Sequence, residues 1–313
     1  MFEIKRYEPS HEQAWNDFVA RSKNGTFLFD RRFMDYHSDR FTDSSLMILR
    51  KGRIYALLPA NRVGDTLHSH QGLTYGGLLT DAKATAEGVM EAFGALNAWL
   101  RNEGVKRVTY KAMPWIYHRL PAEEDLYALT QVCHARLLTR EISSTILLQQ
   151  PLRFTESRKS GLRKALREGL YREESGDLAA FWQMLDDNLA SRHHTHPVHS
   201  LDELRLLQGR FPQQIHLYLI YNKEKEPVGG TWVFDTGQVV HTQYIASTKE
   251  GKAHGALDLL FDELINRRYR EGIYLDFGKS TEEGGRVLNE HLIFQKEGFG
   301  GRGVCYDTYE WEP

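Results

Sequence analysis

The sequence has few cysteines, no long apolar run and no excess of charge of either sign. Two cysteines among 313 residues are too few for the disulfide framework of a small secreted domain. No stretch reaches the roughly 18 uninterrupted apolar residues of a membrane-spanning helix, and Glu3, Lys5 and Arg6 lie where a signal peptide has its apolar core. We therefore expect a cytoplasmic protein that does not insert into a membrane.

The charges are balanced, with 40 Lys and Arg residues against 42 Asp and Glu residues and a formal net charge of −2. This balance argues against an overall electrostatic attraction to nucleic acid or anionic lipid, although it leaves local basic patches open. Contents of 41% hydrophobic and 12% aromatic residues are those of a globular protein and exclude a disordered or collagen-like chain. At about 150 residues per domain, the length predicts two domains.

The order of predicted elements repeats along the chain. In each half, three short strands with glycine-rich turns precede a long amphipathic helix and one further strand. The helices are predicted at 85–102 and 254–270, and the strands that follow them at 105–110 and 273–277. Gly104 and Gly272 stand between helix and strand, where glycine commonly adopts the left-handed conformation. This order predicts a tandem duplication, and a chance similarity of two α/β segments is the alternative.

The predicted domains span residues 1–150 and 151–313, and residues 151–169 connect them. Leu162, Ala165 and other apolar residues recur there at helical spacing. The predicted helix is also basic, which fits either a solvated helix that bridges two domains or a face that binds phosphate. Its basic residues include Arg158, Lys159, Arg163, Lys164 and Arg167.

The loop at 247–256 joins a predicted strand to the long helix of the second half. At such a helix start, free amides and the positive end of the helix dipole bind anions. The loop resembles the Arg/Gln-x-x-Gly-x-Gly/Ala signature of the GNAT superfamily, whose amides hold the diphosphate of coenzyme A. Here Lys252 and Gly255 fill the first and fourth positions, and Leu257 stands where a small residue is usual.

Residues 289–300 resemble the last helix of the same superfamily, which often runs from an asparagine and ends in Gly-Phe. Phe294 stands where that helix frequently has a tyrosine that acts as general acid. The chain also contains Tyr-Gly-Gly at 75–77, the basic connector and the motif Phe-x-Lys-x-Gly-Phe-Gly. With these features it resembles the FemAB-like, or Fem-type, branch of the superfamily. The resemblance implies an α/β fold of mixed sheets with two tandem GNAT-like domains.

The resemblance also implies an N-acyltransferase that moves an acyl group from an acyl-CoA, such as acetyl-CoA, to an amine by direct attack. The acceptor would be a small-molecule or peptide amine, and no metal is expected. An aminoacyl-tRNA-dependent transferase of the Fem type is one alternative, although the long coiled-coil arm of some such members is absent. A non-catalytic binding module is the other. The residues implied for the carrier are Lys249, Gly251, Lys252, Ala253, His254, Gly255 and Ala256.

His241 and Tyr244 lie on the strand that would line the acyl channel, and strict alternation places them on opposite faces. His241 is the candidate proton acceptor because an imidazole titrates near pH ~6.5; a structural strand histidine is the alternative. Asp276 follows on the next strand and completes the predicted catalytic set. Acyl transfer to an amine needs such a proton acceptor beside the reacting carbonyl.

Lys279 and Ser280 stand at the end of that strand, where open α/β sheets present side chains to ligands. We predict that both bind substrate, together with Lys296 of the last helix. A simple turn hinged at Gly278 is the alternative for 276–280, and favourable interaction with the helix dipole is the alternative for Lys296.

Four histidines occur within seven residues at 193–199. A cluster of this kind could hold zinc, but Pro197 and the lack of a regular helical spacing argue against a metal site. By analogy with the corresponding Fem-type segment, we predict a loop over the substrate cleft. Arg192 and His194 are its predicted substrate-binding residues.

Overall fold

The computed structural model describes residues 1–193 and 195–313, except for the side chains of Arg192 and His193. The chain divides into two compact units. Unit 1 comprises Met1–Glu141, Thr281–Val287 and Cys305–Pro313, and unit 2 comprises Ile142–Ser280 and Leu288–Val304. The sequence places a domain boundary at residue 150 and does not indicate that the last residues belong with the first half.

The first part of the chain, to residue 147, contains eight strands and four α-helices among its described elements. They are β1 (Phe2–Arg6), α1 (Glu12–Arg21), α2 (Arg31–Met34), β2 (Leu46–Arg50), β3 (Arg53–Leu58), β4 (Asn61–Val63), β5 (Thr66–His68), β6 (Leu79–Thr80), α3 (Ala86–Asn102), β7 (Arg107–Lys111), α4 (Glu124–Gln131) and β8 (Arg136–Leu147). Short 3₁₀ turns occur at Pro9–His11, Phe27–Phe29, Asp35–His37 and Trp115–Tyr117.

The remaining described elements are α5 (Glu156–Arg167), β9 (Tyr171–Glu174), α6 (Leu178–His193), α7 (Leu201–Arg210), β10 (Ile215–Tyr221), β11 (Pro227–Asp235), β12 (Val239–Ser247), α8 (Lys249–His254), α9 (Ala256–Glu263), β13 (Tyr274–Lys279), β14 (Thr281–Glu282), β15 (Val287–Leu288), α10 (Glu290–Gly298) and β16 (Arg302–Trp311). A π-helical turn at Leu264–Arg268 continues α9, and a 3₁₀ turn lies at Glu283–Gly285.

Unit 1 contains an antiparallel sheet in the order β1-β2-β3-β6 and a second group of strands in the order β4-β5-β7-β16-β8. Helix α3 begins where the side chain of Thr85 accepts a hydrogen bond from the amide of Gly88. It ends before Gly104, whose φ of 70° confirms the predicted left-handed residue. Its buried face includes Phe93 and Leu96, which pack in the apolar core of this unit.

Unit 2 contains strands in the order β8-β13-β12-β11-β10-β9. Among the described strand pairs of this unit, β12 and β13 pair in parallel and the others are antiparallel, as expected when a helix connects two neighbouring parallel strands. The connector forms helix α5 as predicted, and Ala165 is buried in the core of this unit with apolar residues of α9 and β13. Within the described residues, no helix combines the length and apolarity that crossing a bilayer requires.

The predicted helix at 254–270 differs from the observed one. Helix α8 starts at Lys249, five residues earlier, and Gly255 separates it from α9 with a φ of 78°. The π-helical turn ends at Arg268, and Gly272 is not left-handed. The prediction of a left-handed glycine at this helix end is therefore wrong, because the widened turn changes how the helix terminates.

Candidate functional site

Strands β12 and β13 separate after three paired positions. Residues 239–241 of β12 pair with residues 274–276 of β13, and the last pair is His241 with Asp276. Strand β12 continues to pair with β11 as far as Ser247. A cavity of about 230 Å³ lies at this separation, between β12, β13, α9 and α10. Its wall is mainly apolar and includes Ile245, Leu257, Phe261, Phe277, Leu292 and Phe299.

Lys296 of α10 is the buried charged residue of the cavity lining, with 4% of its surface exposed. Its Nζ donates to the carbonyl oxygens of Gly278 and Lys279 at 2.8 and 2.9 Å and to Oγ of Ser280 at 2.9 Å. An ammonium group has three N–H donors, so all three are engaged. Burial lowers the pKa of Lys296 to about 8, while the charge of Asp276 acts in the opposite direction.

The backbone at the end of β13 directs its carbonyl oxygens toward Lys296. Gly278 has a φ of 74°, and the pairing of β13 with β8 shifts register between Asp276 and Lys279. A left-handed glycine in a bulge redirects the following carbonyl groups. The alternative interpretation of 276–280 as a turn hinged at Gly278 therefore agrees with the backbone. Lys279 has an exposed side chain, whereas Ser280 is fully buried and is held by Lys296.

His241 and Asp276 form a buried pair at the last rung before the strands separate. Nδ1 of His241 lies 2.8 Å from Oδ2 of Asp276, which is 0% exposed. The other carboxylate oxygen accepts hydrogen bonds from Oγ of Ser143 and from Oγ1 of Thr145, the latter at 2.8 Å. Because a carboxylate only accepts, Nδ1 carries the ring proton and Nε2 is the acceptor in the neutral imidazole.

The pair lies on the other face of β13 from the cavity. Successive side chains of a strand point to opposite faces, and Phe277, the residue after Asp276, lines the cavity. The cavity and the His241–Asp276 pair thus flank the same strand end from two sides.

His241 and Tyr244 share a face of the sheet, so the prediction of opposite faces is wrong. His241 pairs with Phe234 and Tyr244 with Trp232, two positions that lie on one side of β11. The register shifts between Trp232 and Val233, which leaves Gln243 as the extra residue of a β-bulge. A bulge offsets the alternation by one residue, and sequence spacing alone does not reveal it.

The described hydrogen bonds of the Tyr244 side chain do not include one to Asp276. Its hydroxyl lies 2.5 Å from Nδ1 of His199, which is 6% exposed and packs edge-on against Trp232. Burial raises the pKa of Tyr244 to about 12. His199 is absent from the residues that the sequence singles out for binding, although the histidine-rich segment to which it belongs is the signal that could have identified it.

The predicted carrier site around α8 is occupied by hydrogen bonds within the protein. The side chain of Thr248 accepts from the amide of Gly251 at 3.0 Å, and the amide of Lys252 donates to the carbonyl of Thr248 at 3.0 Å. Nζ of Lys252 donates to Oδ1 of Asn188 at 2.7 Å. The side chain of Ala253 is exposed, His254 lies 4.0 Å from Glu250, and Ala256 is buried in the core.

The start of α9 is closed by helix α5. A Cβ atom on Gly255 would overlap the carbonyl oxygen of Gly161, so the glycine is required by the approach of α5. Asp258 in the first turn of α9 is 6% exposed and lies 3.1 Å from Arg158 of α5. This carboxylate already supplies the negative charge that a helix N-terminus favours. The residues here do not fit a coenzyme A diphosphate.

Substitution of Gly255 tests this close approach. Gly255→Ala is expected to destabilise the protein by about 3 kcal/mol or more, because a backbone clash adds to the strain of a left-handed alanine. Gly237 offers a matched control, since its φ is 83° and a Cβ atom there meets nothing within 4 Å. Gly237→Ala is expected to cost about 1 kcal/mol. If urea unfolding shows the same loss of unfolding free energy for both variants, α5 does not restrict the space at Gly255.

His194 lies outside the described residues, and so does the side chain of Arg192, so their predicted role in substrate binding stays a prediction. Within the described part of the chain, no group of three or more His, Cys, Asp and Glu side chains could hold a metal ion.

Residues 154–284 match the family model of the acetyltransferase (GNAT) domain. The fold is similar to that of FemX, with a TM-score of 0.67 and 11% identity over 99% of this chain and 97% of that one. It is also similar to L-PGS from Bacillus licheniformis, with a TM-score of 0.61 and 14% identity over 97% and 92%. A tandem GNAT protein from the clavulanic acid biosynthesis pathway aligns with a TM-score of 0.51 and 12% identity over 100% and 98%. No curated protein matches the sequence significantly.

These likenesses confirm the predicted fold class, a mixed α/β chain with two tandem GNAT-like domains. The family model likewise confirms the resemblance to the GNAT superfamily over residues 154–284. At identities of 11 to 14%, the neighbours show the fold alone.

Proposed function

We propose that this chain, which carries a GNAT domain over residues 154–284, is an N-acyltransferase that moves an acyl group onto the amine of a small molecule or peptide. The observation that carries the proposal is the apolar cavity at the point where β12 and β13 separate. An acyl chain seated there has its carbonyl carbon between the two strands. Positioning of this kind lowers the entropic cost of bringing two reactants together.

In the proposed reaction, the acceptor approaches from the face of the His241–Asp276 pair. The amine nitrogen attacks the acyl carbonyl carbon, and Nε2 of His241 takes a proton from that nitrogen. Asp276 holds the ring orientation through Nδ1. The bond to the carrier then breaks, and the carrier leaves with the electron pair of that bond. On this side of β12, the backbone beyond the last rung has no β13 partner and can supply amide donors to the oxyanion.

Direct attack is supported by what the cavity contains. Among the described residues of its lining, Ser247 carries the hydroxyl group and no residue carries a thiol. Oγ of Ser247 already donates to the carbonyl oxygen of Val228 at 3.0 Å. Among the described residues, its hydrogen bonds reach backbone carbonyl groups and no side chain that would act as a base. A covalent acyl-enzyme therefore receives no support from these residues.

Tyr244 and His199 are proposed to orient the acceptor. Their hydrogen bond lies on the same face of β12 as His241. Because burial raises the pKa of Tyr244 to about 12, its hydroxyl keeps its proton at neutral pH and can serve as a donor or an acceptor. Lys279, whose side chain is exposed at the same strand end, remains a proposed substrate contact, whereas Ser280 is buried and accepts a hydrogen bond from Lys296.

Two carriers are candidates for the acyl donor. The sequence resemblance favours acyl-CoA, whereas the start of α9 is closed by Gly161 and carries its own carboxylate, Asp258. Aminoacyl-tRNA is the second candidate, because the Fem-type resemblance implies it and the basic residues Arg163 and Arg167 of α5 are exposed. Both donors present an activated carbonyl to the same cavity.

The experiment compares the two donors directly. The protein is incubated with acetyl-CoA or with aminoacyl-tRNA and a panel of amines, and N-acylated products are measured by mass spectrometry. Turnover with either donor supports acyl transfer and identifies the carrier. A rise in melting temperature with one donor, without product, would support binding by a non-catalytic module. Absence of both product and stabilisation would reject the proposed function.

A further inference from the structure

A basic groove lies in unit 1, whereas the residues of the candidate site belong to unit 2. It is formed by one face of α1, the β2–β3 hairpin and the segment after β6, and its volume is about 960 Å³. Five of its lining residues are basic and two are acidic, although the whole chain has a net charge of −2. The basic residues are Arg21, Arg50, Lys51, Arg53 and Lys83, and the acidic residues are Asp17 and Asp81.

The hairpin carries two features that cost stability. Arg50 and Arg53 lie directly opposite each other in the register, and like charges at such positions repel. Lys51 and Gly52 form the two-residue turn with φ values of 52° and 71°. Turns with two positive φ values favour Asn-Gly, since lysine at such an angle is strained. An anion in the groove would offset both the repulsion and the strain.

The positive charge of the groove is largely uncompensated. Within the described residues, Arg21, Lys51, Arg53 and Lys83 form no ion pair, and Arg50 lies 3.7 Å from Glu91. The carboxylate of Asp17 instead accepts from the side chain of Gln13 at 2.8 Å. That of Asp81 accepts from the backbone amide of Lys83 at 2.9 Å. Four cations from three chain segments thus face solvent around one groove.

The groove also has an apolar wall that a bare ion would not need. Ile54 and Tyr55 are consecutive in β3, yet both line it. The register shift between Ile48 and Leu49 explains this, because a bulge turns two neighbouring side chains toward one side. The hydroxyl of Tyr55 accepts a hydrogen bond of 3.4 Å from the amide of Thr85, the cap residue of α3.

We infer that this groove binds a phosphorylated molecule, with a diphosphate or phosphate ester group held by the hairpin cations and an organic part against Ile54 and Tyr55. The volume is in the range of sites for organic ligands and exceeds what a single phosphate fills. Guanidinium and ammonium groups from separate elements are the usual donors to phosphate oxygens. This inference does not rest on acyl transfer, because it concerns residues of unit 1 alone.

The probe is inorganic pyrophosphate, titrated calorimetrically into the full-length protein at fixed ionic strength. Lys51→Asn removes one cation and installs the residue that the turn favours, so its melting temperature is expected to stay equal or rise. Its affinity for pyrophosphate is expected to fall roughly tenfold, as is that of Arg53→Gln. Lys225→Asn is the matched control, since Lys225 also has a positive φ, 64°, in the turn between β10 and β11. Its affinity should equal that of the wild type.

A second arm separates the sources of the phosphate group. Co-sedimentation with phosphatidylglycerol vesicles, compared with phosphatidylcholine vesicles, detects a lipid headgroup. Binding that Lys51→Asn weakens in either arm supports the groove and identifies the source. The inference is overturned if the wild type binds neither probe, if Lys51→Asn binds as tightly as the wild type, or if sodium sulfate binds as tightly as pyrophosphate.

Discussion

A His241→Asn variant is expected to fold normally and to lose about 10²- to 10⁴-fold of the acyl-transfer rate, the range that a general base contributes. The side-chain amide of asparagine can replace Nδ1 as donor to Asp276, so the buried carboxylate keeps its partner. The variant lacks Nε2, the ring nitrogen that is proposed to accept the proton of the amine. The measurement is the turnover rate with the donor and acceptor that support the wild-type reaction.

His216 provides the control for this substitution. It is also a strand histidine of unit 2, and its Nδ1 lies 3.0 Å from a carboxylate oxygen of Glu174. His216→Asn is expected to leave the rate unchanged, because this pair joins β9 to β10 and does not line the cavity. Full turnover by His241→Asn would favour the alternative that His241 is a structural strand histidine.

The sequence predicts the local elements of the fold more reliably than it predicts how they end. The repeated order of strands, helix and strand depends on periodicity, which is a local property. Gly104 is left-handed as predicted, but Gly272 is not, because the π-helical turn at Leu264–Arg268 intervenes. Nothing in the apolar spacing distinguishes a π turn from the α-helix that it continues.

The candidate site depends on long-range contacts that sequence spacing does not contain. His241 and Asp276 are placed on neighbouring strands by their predicted positions, but their hydrogen bond depends on a parallel register. The contact of Tyr244 with His199 joins residues 45 positions apart. Gly255 resembles a phosphate-binding glycine in sequence, yet its conformation serves the packing of Gly161. A glycine in the sequence indicates that another group approaches the backbone closely, but it does not distinguish a ligand from a neighbouring helix.

Lys296 is the other residue whose replacement should have a large effect. In Lys296→Met, the carbonyl oxygens of Gly278 and Lys279 and the hydroxyl of Ser280 lose their common donor. Buried acceptors left unpaired cost about 1–3 kcal/mol each, partly offset by removal of a buried charge. We expect a net loss of about 2–5 kcal/mol in urea unfolding at pH 7. Arg167→Met, at an exposed position of α5, should change stability by less than about 0.5 kcal/mol.

The pH dependence tests the charge of Lys296 separately from its hydrogen bonds. The pKa of Lys296 is about 8 in the folded protein, compared with 10.5 for an ordinary lysine. As the pH rises, the folded state therefore loses this proton before the unfolded state does. Between these values the unfolded state binds more protons, and the free energy of unfolding contributed by this group rises with pH, by up to about 3 kcal/mol. The cost of burying the charge is fully present below pH 8. Lys296→Met should lack this rise.

The acyl-transfer rate should move in the opposite direction over the same range. In the proposed acyl transfer, a positive charge beside the cavity would favour the oxyanion, so loss of the proton above pH 8 is expected to slow turnover while stability increases. Unfolding curves and turnover rates of the wild type and Lys296→Met at pH 7, 8, 9 and 10 measure both trends. Parallel profiles for the two proteins would exclude Lys296 as the titrating group. A rate that falls only together with stability would indicate unfolding instead, because a single proton on Lys296 requires the two quantities to diverge.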